Sequence, residues 1–274
     1  MSGNTTLPVH YIPHGGGPWN VMKEPMGDAA EYERLSLWLR KLGGSHREGV
    51  KALLIISAHW EETLPTVHFG ERPGMLYDYG GFPDYTYKIS WPAPGAPGVA
   101  KRVDELLLSA GFKTGREEKR GYDHGTFVPM MVAYPGAELP VAQLSLVRGL
   151  DPATHFSIGR ALEPLRDEGV LIVGSGMSYH NMRGFMSGDP RVAETSRRFD
   201  DWLAETVAIT DAEARREKLV DWQKAPGGLD SHPRSEHLVP LFVVAGAGGK
   251  DRGRVDYHDE LLGVRVSSHV FGGD

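Results

Sequence analysis

Apolar positions along this chain fall into short unbroken runs that alternate with longer stretches of helical spacing. Leu53 to Ile56 is apolar at every position and ends in β-branched residues, which suits a strand buried on both faces, as in a parallel sheet flanked by helices. Leu7–Ile12, Pro140–Val147 and Gly169–Val173 read as further short strands. Between Leu7–Ile12 and Leu53–Ile56, Leu35, Trp38, Leu39 and Leu42 share one face of a helix predicted over 28–42 and ended by Gly43-Gly44, completing a βαβ unit. Val99, Val103, Leu106, Leu107 and Ala110 follow the same spacing, with Gly111 as the C-cap. Asp151-Pro152 and Asp189-Pro190 each place an N-cap before a first-turn proline, and Pro164 should end or kink the earlier helix. Thr210-Asp-Ala-Glu213 reads as a capping box. Leu238 to Ala245 lacks alternation and reads as a buried helix with His237 in its first turn, while Val264, Val266, Ser268 and Val270 alternate like an edge strand. The prediction is a single α/β domain over residues 1–274: a central, mostly parallel or mixed sheet flanked by helices, with ligands bound at the carboxyl ends of the strands.

Composition narrows the chemistry. Apolar content of 40% and charged content of 24% are ordinary for a globular protein, and no apolar run approaches the roughly 20 residues of a membrane span. Met1-Ser-Gly-Asn-Thr-Thr6 lacks the basic and apolar regions of a signal peptide, so a cytoplasmic location is expected. The absence of cysteine excludes disulfides, Cys-ligated zinc, iron–sulfur clusters and thiol nucleophiles. A net charge of −6 without a clustered Lys/Arg face argues against nucleic acid as a partner, and a homo-oligomer is allowed.

Histidines recur where strands end. His14 follows the first strand and opens a three-glycine turn, His59 stands past Ile56, and His180 follows the Gly169–Val173 strand; His124 lies between an acid and a glycine. Each alone is more often a hydrogen-bonded structural residue than a ligand. If the strands are parallel, however, His14, His59 and His180 converge in one crevice. Three neutral imidazoles can hold Zn(II) or Fe(II) with positions left open, and further histidines can move protons. Asp123 is a candidate for the acid that orients a neighbouring imidazole. The glycines allow a ligand close to the backbone or mark only a tight turn, and no P-loop spacing follows them. Between Gly70 and Gly98, Tyr77, Tyr79, Phe82, Tyr85, Tyr87 and Trp91 form either a wall for a flat substrate or a satellite packing cluster.

His14-Gly-Gly-Gly-Pro18, Ser57-Ala-His59-Trp60, Tyr77-Asp-Tyr-Gly-Gly-Phe82-Pro83, Asp123-His124-Gly125, Gly174-Ser-Gly176 with His180-Asn181, and Glu236-His237-Leu-Val-Pro-Leu241 occur in this order. The order resembles that of class III extradiol ring-cleaving dioxygenases of the DOPA-4,5-dioxygenase type, relatives of the catalytic subunit of protocatechuate 4,5-dioxygenase. The resemblance runs from about residue 8 to 272. It implies a non-haem Fe(II) enzyme with His14, His59 and His237 on the metal, and Zn(II) as a metal the isolated protein could carry. In the protocatechuate branch a glutamate takes the third position, which keeps Glu236 as a rival ligand. His180 matches the acid/base histidine, and His124 the second histidine that assists proton transfer and positions substrate. The implied reaction opens a catechol-type ring with O2 to a muconic semialdehyde, with Tyr77, Tyr79, Phe82, Tyr85 and Trp91 walling the ring. One departure is that many members read His-Gly-Ser-Pro where this chain has His14-Gly-Gly-Gly-Pro18, which leaves the subfamily and the catechol open. Two rival functions remain beside this one: a zinc-dependent hydrolase, and a non-catalytic metal-binding relative with the same fold. Retention of both His124 and His180 disfavours the second, since a bare binding module needs no proton shuttle.

Overall fold

The unbroken apolar runs become the middle of a sheet because each of their two side-chain rows has a helical layer to bury against. The computed structural model describes residues 6–45 and 49–273. Its strands are β1 (Val9–Pro13), β2 (Ala52–Glu62), β3 (Thr66–His68), β4 (Gly115–Glu117), β5 (Val141–Val147), β6 (Val170–Gly176), β7 (Gly253–Leu261) and β8 (Val264–Phe271). They form one sheet in the order β4-β3-β5-β2-β6-β1-β8-β7. The four central strands, β5, β2, β6 and β1, are parallel. β3 and β8 attach antiparallel at either side, so the sheet is mixed.

Helices α1 (Ala29–Ser45), α2 (Pro97–Ser109), α3 (His124–Ala133), α4 (Pro152–Leu162), α5 (Pro190–Val207), α6 (Ala212–Val220), α7 (Gly228–Ser231) and α8 (Val239–Ala247) cover both faces. Leu54, Ile56 and Ile172 pack with residues of α2, α4, α5 and α8, whereas Leu53, Ile55 and Leu171 pack with α1 and α3. Two-residue periodicity thus divides one strand between two cores. This is the α/β fold the pattern predicts. Among the described residues no helix is long and apolar enough to cross a membrane.

Strand register sets up the site. Pro13 pairs with Gly176 and Ser57 with Ser175, so β1, β6 and the parallel part of β2 come to the same level. His14 follows β1 directly. β2 does not end at Ile56 as its apolar run suggests: it continues to Glu62 through a register shift against β5 between Ile56 and Glu61, and His59 lies in that irregular stretch. A bulge of this kind re-aims a side chain without breaking the strand.

Other boundaries also moved. β8 is interior, held between β1 and β7, and the edge belongs to β7. His237 lies in the turn before α8 rather than in its first turn. The cap of α6 is Asp211, whose side chain accepts from the Ala214 N–H, not Thr210. His124 is not in a loop but begins α3, a helix apolar on all sides that has no periodic signature. Pro164 acts as expected, with α4 ending at Leu162 and a 3-10 turn following. Of the N-terminal stretch read as leaderless, residues 1–5 lie outside the described residues.

Candidate metal centre and active site

Five imidazoles meet where the parallel strands end. His14 and His59 have ring centroids 4.9 Å apart, His59 and His237 4.8 Å, and His14 and His237 5.1 Å. His124 lies 3.9 Å from His59, and His180 stacks on His237 at 3.3 Å. One nitrogen from each of His14, His59 and His237 falls within 4.8 Å of the other two.

Hydrogen bonds at the rear of these rings decide which nitrogen faces forward. His14 Nδ1 lies 2.8 Å from the Gly15 carbonyl, which can only accept, so Nδ1 carries the proton and Nε2 a lone pair. His237 Nδ1 donates to Glu236 Oε1 at 3.0 Å, and its buried Nε2 has no hydrogen-bond partner. The Nε2 atoms of His14 and His59 face each other at 3.2 Å. Lone pairs brought together in this way need a shared cation or a proton between them. Protons are disfavoured: burial first, then the neighbouring imidazoles, push the pKa of His14, His59 and His237 well below the usual histidine value. Neutral imidazoles converging through Nε2 fit a divalent metal.

The backbone around them leaves little freedom. His237 O accepts from the Tyr11 hydroxyl at 2.7 Å and from the Met177 N–H at 3.1 Å. His14 O accepts from the Trp19 indole at 2.7 Å, and Gly15, at φ +76°, has room for no side chain because a Cβ would lie 2.3 Å from that indole nitrogen. Gly125 is a second obligate glycine, since its Cβ would stand 2.8 Å from the His59 ring and 2.5 Å from Ser57 Oγ. Beneath His59, buried Asp123 accepts from Ser57 Oγ and the Thr126 N–H, and Arg120 bridges Asp123 to the His59 carbonyl. Arg120 in turn lies over the Trp60 ring at 5.2 Å, which gives that residue a packing role.

Two carboxylates orient the remaining imidazoles. Asp78 accepts from both the backbone N–H and Nδ1 of His124 at 2.9 Å, and lies 3.6 Å from His59 Nδ1. Burial pushes its carboxyl up, but the bonds from His124 outweigh that and hold it below the usual range. Glu236 faces His180 Nδ1 at 3.3 Å as well as His237, and Arg234 lies 3.3 Å from its other oxygen. Here too burial raises the carboxyl, and His180 and Arg234 bring it below its ordinary value.

The imidazoles form the floor of a cavity of about 350 Å³, walled by Gly15 to Gly17, Tyr79, Phe82, Phe185 and several methionines and leucines. That volume is in the range of small-molecule sites. The chain matches, over residues 8–271, the family described as the catalytic LigB subunit of aromatic ring-opening dioxygenase. It belongs to that family. Among its relatives, the LigB-family protein is 43% identical over 203 residues to a 4,5-DOPA dioxygenase extradiol of Portulaca grandiflora, covering 73% of each chain. It is 38% identical over 231 residues to one of Mirabilis jalapa, covering 82% of this chain and 85% of the relative. A crystal structure of an uncharacterized protein from Escherichia coli K12 superposes with a TM-score of 0.77 at 28% identity, covering 97% of this chain and 100% of that one. The protein is therefore an enzyme of the extradiol, aromatic ring-opening dioxygenase type.

In this LigB-family fold all five histidines singled out in the sequence come together. The aromatic loop divides. Tyr79 and Phe82 line the cavity, whereas Tyr77, Tyr85 and Trp91 do not. Trp91 is buried against Tyr122 and donates to the Tyr134 carbonyl; Tyr77 donates to Ile89 O, and the Tyr85 hydroxyl accepts from the Lys23 N–H. The wall and the packing cluster are thus both present. Glu236, the rival ligand, faces the Nδ1 side of His180 and His237 rather than the three converging nitrogens. Asp123 does not orient His124; adjacent side chains diverge, and Asp78 takes that place across the fold. Asp78, Met26, Met182, Phe185, Met186 and Leu262 carry no assignment from sequence, because their distance to the histidines is set only by tertiary packing.

Proposed function

We propose that residues 1–274 act as one catalytic domain, a non-haem Fe(II)-dependent extradiol dioxygenase that opens a catechol ring with O2 to a muconic semialdehyde. The observation that carries this reading is the pairing of three converging imidazole nitrogens, those of His14 and His59 being Nε2, with two further imidazoles whose Nδ1 atoms are turned to carboxylates. His14, His59 and His237 would hold the metal. Bound Fe(II) would supply Lewis acidity toward the diol and the redox capacity to use O2, which no side chain here possesses.

The protein's own part is proton handling and orientation. His180, with Nδ1 toward Glu236, keeps its other nitrogen for the cavity it lines, where it accepts the proton of a diol hydroxyl. His124, fixed by Asp78 and lying beside His59, is the second proton carrier. Tyr79 and Phe82 bound the ring laterally, and the apolar walls limit water at the floor. His₃ sites also suit Zn(II), and zinc-loaded protein is expected to bind catechols without turnover.

Anaerobic loading with Fe(II), followed by O2 and a panel of catechols, tests the reading. Stoichiometric oxygen uptake with a yellow semialdehyde is expected; absence of both across the panel overturns it, and ester or amide hydrolysis by the zinc form would favour the hydrolase instead.

A further inference from the structure

The cavity changes character above its floor. At the floor the polar side chains are the imidazoles and two groups already engaged: Asp78 is bonded to His124, and the Tyr79 hydroxyl donates to the Thr86 carbonyl at 2.6 Å. Above it the lining is Met26, Phe82, Met182, Phe185, Met186 and Leu262, with no lysine or arginine among the described lining residues. The loop carrying Met182 to Met186 is tied to the β7–β8 turn by the Met186 N–H on the Leu262 carbonyl at 2.8 Å. Met26 and Leu262 meet over the glycine turn, where a Cβ on Gly16 would lie 3.0 Å and 3.9 Å from them. Arg120 is engaged on Asp123 and Arg234 on Glu61 and Glu236, while exposed Arg183, between Met182 and Phe185, is not among the lining residues. Met182 and Met186 remain 70% and 63% exposed. Large apolar side chains left at the mouth of a cavity mark a binding surface, and methionine adapts to substituents of varied shape.

We infer that the substrate is a catechol bearing an uncharged, apolar substituent, which the methionine- and leucine-lined upper wall receives while the diol faces the histidines. This rests on the dioxygenase reading above for the orientation of the diol. A carboxylate on the substituent would lie against thioethers and rings with no cation in the lining to meet it, and an ammonium group would find the lining's one carboxylate, Asp78, already bonded to His124. DOPA, after which the plant relatives are named, carries both charges. The upper wall of this chain complements neither.

The test compares 4-methyl-, 4-ethyl- and 4-propylcatechol with protocatechuate, dopamine and L-DOPA. kcat/KM is measured on Fe(II)-loaded enzyme, and binding is measured by calorimetry on the zinc-loaded protein. Both are expected to rise about threefold per added methylene. The charged catechols should fall roughly tenfold or more below 4-methylcatechol. Met182→Arg, at an exposed position, should narrow the gap for protocatechuate by roughly fivefold or less. Protocatechuate or L-DOPA equal to or better than the alkylcatechols overturns the inference while leaving the dioxygenase reading intact. A preference for carboxylates that Arg183→Ala abolishes overturns it too and names the reader. If no catechol is opened but calorimetry keeps the alkyl order, the activity reading fails and the apolar subsite stands.

Discussion

Asp78 and Glu236 stand behind different pairs of the floor histidines, and each faces one candidate metal ligand and one candidate proton carrier. Asp78 bonds the carrier His124 at 2.9 Å and stands off from the ligand His59 at 3.6 Å. Glu236 is shared instead, 3.0 Å from the candidate ligand His237 and 3.3 Å from the candidate carrier His180. Their outer connections differ as well. Asp78 is anchored by the His124 backbone N–H, whereas Glu236 meets the exposed guanidinium of Arg234. Similar chemistry in two places therefore has two emphases: on the proposed roles, Asp78 would serve chiefly the proton carrier, whereas Glu236 would also hold a metal ligand.

The largest effects should come from the imidazoles themselves. His59→Ala removes a nitrogen donor, and the purified protein should hold no stoichiometric metal by elemental analysis and show background turnover. His180→Ala should keep its metal and lose about 10²–10⁴-fold in kcat, the usual worth of a positioned acid/base. Metal loss from His180→Ala would show that the carrier and the ligand are not separate.

The comparison itself is sharpened by the two carboxamide variants. Glu236→Gln should weaken metal affinity by about 10–100-fold in a chelator competition, as for other partners of ligating histidines. Asp78→Asn should leave that affinity closer to wild type and lower kcat instead. Equal metal loss in both would erase the distinction drawn here. Arg234→Ala, removing an exposed ion pair, is expected to shift metal affinity by less than about fivefold.

Acid stability gives a smaller, graded effect carried by histidines away from the floor or behind it. Burial pushes the pKa of His232 down to about 4 and that of His269 to about 3, from an ordinary value of 6.5. Above 6.5 both are neutral folded or unfolded, so stability does not depend on them. As pH falls below 6.5 the unfolded chain binds protons that the folded protein refuses, and stability declines by roughly 1.4 kcal/mol per pH unit for each until its folded pKa is reached. Urea titrations between pH 7 and 4 check the sign. His269→Asn should flatten the slope.

Much of the fold and of the histidine cluster is legible in the sequence. Runs such as Leu53–Ile56 announce a doubly covered parallel strand because every position is apolar, and histidines placed after several of them point to one crevice. The bulge in β2 was not readable, since an apolar run says where burial stops and not where pairing stops. α3 escaped because a helix buried all round has no periodicity, as with Phe127, Val128 and Met130 on successive faces. Asp78 sat in plain view between Tyr77 and Tyr79, yet its partner is 46 residues away, a distance no local spacing rule spans. Trp91 was assigned to the wall with its neighbours because aromatic composition does not distinguish a ring facing a cavity from one facing a core.

The Tyr11 hydroxyl reaches across 226 residues of sequence to hold the carbonyl of His237, and Tyr11 lies on the same strand that ends at His14. Two of the three converging imidazoles are thus gauged from one rigid strand at the centre of the sheet, while the residues that surround a substituent come from peripheral loops and a hairpin turn. Drift in those outer segments can retune which rings are accepted without disturbing the spacing of the donor atoms. On the proposed reading, such a division would let the accepted ring change while the metal seat stays fixed.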